Sequence, residues 1–189
     1  FEGHPASGVA SNLRFANQHR TAALRDDCLE GNTWVCGDAL LSDGVFYWAV
    51  RVDARGSMLK YVGIGVGKAM ETYPRAAARL LSDRTTPRAQ ETKAALTVFG
   101  ENDVVGVFIN TLTGKISFDV NGISAGDMMF PGLVPGDAVQ PLVYMFSPGD
   151  RFTFLHDVPV PACYAPPVPV IFRKRSQARL RIRAAPQPG

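Results

Sequence analysis

Hydrophobicity with a period of two constrains this chain more than any other feature. Phe46, Trp48, Val50 and Val52 fall on one face of an extended segment, with Tyr47, Ala49, Arg51 and Asp53 on the other. Side chains of a strand alternate between faces, whereas a helix needs apolar residues every three or four positions. Val62, Ile64 and Val66 repeat the alternation around Gly63 and Gly65, and Ile116, Phe118 and Val120 alternate with Lys115, Ser117 and Asp119. Residues 104–109 are apolar on both faces, the pattern of a central strand covered twice. Residues 142–146 and 151–155 predict two more strands, and 13–15 and 33–36 two shorter ones. The links carry turn chemistry. Thr113-Gly114 separates two strands, Asn121-Gly122 suits the two positive φ values of a type I′ hairpin, and Ser147-Pro148-Gly149-Asp150 joins the last pair. Many short strands on tight turns predict an antiparallel all-β sandwich.

One stretch breaks the pattern. Residues 68–95 are rich in Ala, Arg, Glu, Thr and Lys with little alternation, and 73–81 and 88–96 each predict a short helix, separated by Thr86-Pro87. This excursion is either a carrier of binding residues or a solvated loop. Proline then marks the end of the sandwich, since seven of the fourteen prolines lie from Pro159 onward. Such a segment lacks amide donors and favours extended conformations. The expected organisation is a sandwich over 1–158, a Pro-rich linker over 159–172 and a basic tail over 173–189. Charge supports that division. The tail holds six cations (Arg173, Lys174, Arg175, Arg179, Arg181, Arg183) and no acid, which leaves fourteen basic against seventeen acidic residues before it. The net charge of +3 therefore describes neither part.

Three cysteines (Cys28, Cys36, Cys163), without CxxC spacing, read as small buried thiols, and no Asn-x-Ser/Thr sequon occurs. Both features favour a reducing intracellular compartment, and a cytoplasmic location is expected ahead of a mitochondrial or nuclear one. Cys28, Cys36 and His19 lack a fourth ligand and a zinc spacing, so no metal site is expected. No apolar run reaches the ~20 residues of a membrane span, and no membrane association is expected. A chain opening at Phe1 without Met or signal sequence is read as a fragment, a processed product or a trimmed piece.

Five segments in order resemble the SPRY family. Gly44-Val45-Phe46-Tyr47-Trp48-Ala49-Val50 is similar to its "Gly-x-x-Tyr-Trp-x-Val" strand, and Tyr61-Val62-Gly63-Ile64-Gly65-Val66 to the strand that follows. Asn102-Asp103-Val104-Val105-Gly106-Val107 resembles "Gly-Asp-x-Val-Gly-Val". Residues 114–122 match the "Gly-x-Ile-x-Phe-x-x-Asn-Gly" hairpin, and Gln140-Pro141-Leu142-Val143 resembles "Tyr-Pro-x-Val". The family's closing "Asn-Phe-Gly" is replaced by Leu155-His156-Asp157. The resemblance implies a bent antiparallel two-sheet β-sandwich of the concanavalin-like jelly-roll type, here with a short helical excursion and an extended tail. It also implies a non-catalytic adaptor or assembly module that binds a protein partner, peptide or subunit, through loops at one end. By position those loops are 14–20, 54–60, part of 68–93 and 146–150. The implied partner-binding residues are Arg14, Asn17, Arg20, Tyr144, Phe146, Ser147 and Pro148. Phe146 is the expected anchor, because an aromatic ring brings large contact area at modest entropic cost.

Rival chemistries fit less well. Gly122-Ile123-Ser124-Ala125-Gly126 satisfies the G-x-S-x-G pattern, with Asp137 and His156 following in triad order. A nucleophile elbow needs a helix after the serine, and Pro131-Gly132 prevents one, so a serine hydrolase using Ser124 is disfavoured. Gly63-Ile64-Gly65-Val66-Gly67-Lys68 completes neither a Walker loop nor a dinucleotide fingerprint. Neither cofactor nor small-molecule substrate is expected. Met128-Met129-Phe130 reads as an apolar loop tucked under the sandwich or, alternatively, an exposed interface. The tail has a second reading. Its six cations suit RNA, as in a structural subunit of a ribonucleoprotein such as a mitochondrial ribosome or an RNA-processing particle. Against this stand a solvated charge run, a localisation signal, and a strand added to a partner's sheet edge.

Overall fold

The computed structural model describes residues 13–17, 21–25, 33–37, 39–56, 62–69, 77–81, 99–130, 132–155, 157–164 and 182–184. Twelve strands are formed there: β1 (Leu13–Ala16), β2 (Thr21–Leu24), β3 (Thr33–Gly37), β4 (Val45–Ala54), β5 (Gly63–Lys68), β6 (Ala77–Leu81), β7 (Val104–Asn110), β8 (Lys115–Val120), β9 (Ile123–Met129), β10 (Val139–Met145), β11 (Arg151–Leu155) and β12 (Ile182–Ala184). They form a seven-stranded sheet in the order β1-β2-β11-β4-β7-β8-β9 and a five-stranded sheet in the order β12-β3-β10-β5-β6. All pairings are antiparallel.

The period-two pattern decides which face of each strand is buried. Trp48, Val50 and Val52 of β4, Val105, Val107 and Ile109 of β7, and Ile116 and Phe118 of β8 join one core with Ile64, Val66, Val143 and Met145 of the other sheet. Phe99, Phe118, Phe152 and Phe154 are buried, each such ring supplying about 1.5–3 kcal/mol of transfer free energy. Asn121 (φ 53) and Gly122 (φ 79) turn β8 into β9 with a two-residue loop, the type I′ geometry expected of Asn-Gly.

Four expectations are corrected. Residues 77–81, expected to close a helix, form β6 on the edge of β5, because an edge that offers unpaired backbone groups overrides the helix preference of Ala, Arg and Leu. The second expected helix, 88–96, lies outside the described residues. Met128 and Met129 end strand β9 rather than forming a loop, and Met129 is exposed while Phe130 is buried. Cys163 is exposed, on a 3-10 turn (Ala162–Tyr164) laid on the seven-stranded sheet; among the described residues Cys36 is the buried thiol, and Cys28 lies outside them. Finally, residues 182–184 pair with this chain's own β3 (Ile182 opposite Gly37, Ala184 opposite Val35) rather than waiting for a partner's sheet edge.

Candidate partner-binding surface

At one end of the sandwich, Ser147-Pro148-Gly149-Asp150 turns β10 into β11. Pro148 has the fixed φ suited to the second turn position and Gly149 (φ 87) takes the third, with the Asp150 amide donating to the Ser147 carbonyl at 2.9 Å. The Asp150 side chain is fully buried and clasps two loops. Its Oδ2 accepts from the Phe146 amide (3.1 Å) and the Ser147 amide (2.8 Å), and its Oδ1 accepts from the Gly56 amide (2.9 Å). Arg55 Nε stands 3.9 Å from the same carboxylate. Gly56 is required here, since a Cβ would collide with the Pro148 carbonyl oxygen and with Ser147. The turn is therefore fixed on a rigid seat.

Phe146 and Pro148 are half-buried on this clasp. The Phe146 ring lies 6.3 Å from the Tyr144 ring. Tyr144 and Ser147 are buried, so Tyr144 backs the Phe146 ring from within the sheet and Ser147 belongs to the clasp. Arg14 is exposed on β1, and Arg20 lies outside the described residues. Asn17, in the left-handed region at φ 51, donates from Nδ2 to Thr21 Oγ1 at 2.9 Å. Thr153 gives its only hydroxyl proton to Asp53 Oδ2, so Thr21 must donate across the 2.8 Å contact with Thr153. Asp53 also pairs with Arg51 Nε at 2.6 Å. Of the tail cations, Arg173, Lys174, Arg175, Arg179 and Arg181 lie outside the described residues, and Arg183 is in β12.

A second polar centre sits on the outer face of the seven-stranded sheet. Asp119 of β8 is buried, accepting from the Gly122 amide at 3.0 Å and from the Tyr47 hydroxyl at 3.2 Å. Burial lifts its carboxyl above the ordinary range, while those donors act in the opposite direction. Burial and the nearby carboxylate together push the Tyr47 and Tyr164 hydroxyls well above the usual phenol range. Cys163 is exposed as a residue, but partial desolvation of its thiol, then Asp119, raises it. Tyr164 stacks on Phe108 with centroids 4.8 Å apart, and its hydroxyl faces Asp119 without a hydrogen bond of ordinary geometry. Gly106 opens the space, because a Cβ there would strike both the Asp119 carboxylate and the Tyr47 hydroxyl. No sequence motif announced this centre or the Asp150 clasp.

The G-x-S-x-G segment is the β8–β9 hairpin turn followed by a bulge at Ala125, and Ser124 is an exposed edge-strand residue opposite Asp119. Asp137 is held by Lys68 Nζ at 2.9 Å, and His156 lies outside the described residues. Residues 63–68 are strand β5 rather than a phosphate loop.

Two bent antiparallel sheets with this strand order define a SPRY-like β-sandwich. The particular likenesses are to solved SPRY domains. The SPRY domain of human HERC1 superimposes with a TM-score of 0.56 at 11% identity, covering 79% of this chain and 98% of that one. A human SPRY domain gives 0.55 at 15% identity (78% and 97% covered), and the TRIM65 PSpry domain 0.51 at 14% (77% and 86%). No protein-family model matches the chain, and no curated protein matches its sequence.

Proposed function

We propose that the chain is a non-catalytic interaction module, an adaptor or assembly subunit that binds a protein partner through the end of the sandwich carrying Phe146 and Pro148. The observation that carries this reading is the clasp. Three backbone amides converge on one buried carboxylate, so a half-exposed aromatic ring and a proline are presented on a surface that needs no ordering when a partner arrives. SPRY domains as a class bind proteins through such loops, which supports the same reading. The proposal includes a reducing compartment, which the free thiols of Cys36 and Cys163 support. A displayed library of random peptides, selected on the intact chain, tests the proposal. Enriched peptides should lose about tenfold or more in affinity on Phe146→Ala, the loss typical of an interface anchor, with thermal stability retained. Enriched peptides that bind Phe146→Ala unchanged would remove this surface from the reading. The ribonucleoprotein alternative rests on the cations of 173–183. A salt titration of RNA binding, with those cations present or replaced by Gln, decides it.

A further inference from the structure

The arginines of the seven-stranded sheet are gathered on one half of its outer face. Strand register puts them there. Arg14 of β1 stands opposite Ala23 of β2, which stands opposite Arg151 of β11. The next row runs Ala16, Thr21, Thr153 and Arg51 across β1, β2, β11 and β4. Leu13, Val50, Val52 and Phe152 are buried in the core, so their neighbours Arg14, Arg51 and Arg151 point outward, and all three are exposed. Between them stand Ala23, Thr21 and Thr153, with the Asp53 carboxylate beside Arg51, so the floor between the guanidinium groups is shallow. Among the described residues neither Arg14 nor Arg151 has an ion-pair partner, while Arg51 is tied to Asp53. A bulge between Arg151 and Phe152 leaves Asp53 as the extra residue of β4, where Thr153 and Arg51 both hold it. Glu101 and Asp103 sit in the turn that borders β4, where the Val52 amide donates to the Asp103 carbonyl at 2.9 Å; the Asp103 carboxylate accepts from the Gly100 amide and from Asn121 Nδ2, and Asp119 and Asp127 lie further off on β8 and β9.

We propose that Arg14, Arg51 and Arg151 form a docking face for an extended acidic segment of the protein partner. This rests on the interaction reading above and names the chemistry of the partner. Charge complementarity selects the occupant, since two unpaired guanidiniums on rigid strands offer forked donors to carboxylates and steer an anionic chain toward the surface. The lack of a stacking platform selects peptide over RNA. Arg14 and Arg151 are separated by two inter-strand spacings, about 10 Å, which three or four residues of extended peptide cover. No aromatic ring stands in these rows to stack a base. The face begins at Arg151, one residue after the Asp150 clasp.

Fluorescence anisotropy on the full chain tests this with a fluorescein-labelled hexaglutamate, a hexalysine of the same length and a short oligouridylate. Hexaglutamate should bind at about 50 mM salt and weaken steeply at higher salt, as screening requires, while hexalysine does not bind. Arg14→Glu/Arg151→Glu should weaken hexaglutamate about tenfold or more, a loss expected for charge reversal at a complementary surface. The milder Arg14→Gln/Arg151→Gln should weaken it by a smaller factor, with its thermal midpoint unchanged. Replacing Arg173, Lys174, Arg175 and Arg179 by Gln should change it less than either. Loss confined to the tail variant would overturn the proposal, as would oligouridylate binding more tightly than hexaglutamate and losing its affinity with the two arginines. Phe146→Ala should leave hexaglutamate binding intact while weakening the selected peptides. A Phe146 effect without an arginine effect therefore overturns this inference alone and leaves the module reading standing.

Discussion

Two buried carboxylates carry most of the site's local order, and they do it differently. Asp150 is an acceptor for three amides, and its removal strands them. Each buried donor left without a partner costs about 1–3 kcal/mol. Water can reach part of the opened loop, so Asp150→Ala should lower stability by about 2–4 kcal/mol in a urea titration, less than the sum of three donors would suggest. The same variant should lose the selected peptides, because Phe146 is no longer seated. Asp119 makes stability depend on pH. Its folded carboxyl sits above the ordinary 3.8 because of burial. The folded state then binds a proton that the unfolded state has released, so stability falls as pH rises from 3.8 through the folded value. Urea titrations across that window should show the decline in the parent chain. Asp119→Asn, which cannot ionise but keeps an acceptor for Gly122 and a donor for Tyr47, should remove it. An identical slope in both proteins would assign the pH dependence to other groups.

Among the strands, the short edge elements are those that depend on their neighbours. β12 is three residues long and covers the outer side of β3, which otherwise shows unpaired backbone groups to solvent. Ile182→Pro removes one donor and fixes φ, and should cost about 1 kcal/mol, the worth of one or two ladder hydrogen bonds. It should also raise self-association in size-exclusion chromatography by uncovering β3. The short strands at and next to the edges were the least legible part of the sequence. β4 and β8 announce themselves by local alternation and β7 by its unbroken apolar run, and Asn121-Gly122 specifies its own hairpin. β2 reads Thr-Ala-Ala-Leu and β6 reads Ala-Ala-Arg-Leu-Leu. Neither alternates, and both become strands only because an adjacent strand offers hydrogen bonds. The site follows the same rule. Phe146 and Pro148 were visible as an aromatic and a turn residue, whereas the Asp150–Gly56 contact joins loops 94 positions apart. The pairing of Tyr47 with Asp119 spans 72 positions and depends on register across β7. No local pattern encodes either.

For the molecule as a whole, those long spans imply cooperativity. Residues near both ends of the sequence meet in the middle of one sheet, where β11 is inserted between β2 and β4 and Thr21 bonds to Thr153 across 132 positions. Neither sheet can bury its inner face without the other, since both contribute to a single core cluster. The sandwich should therefore unfold in one transition rather than sheet by sheet. Trp48 lies in the core on β4 and reports on the packing between the sheets, while far-UV circular dichroism reports on the strands. The two signals should give coincident urea transitions. Non-local pairing must also be completed before burial can stabilise it, which slows the search. Refolding monitored by tryptophan fluorescence should take roughly milliseconds to seconds, the range of sandwiches with such topology. Transitions that separate, with circular dichroism surviving after the fluorescence change, would mean that one sheet keeps its strands without the shared core. The rigidity argued for the Phe146 surface would then have to come from the Asp150 clasp alone.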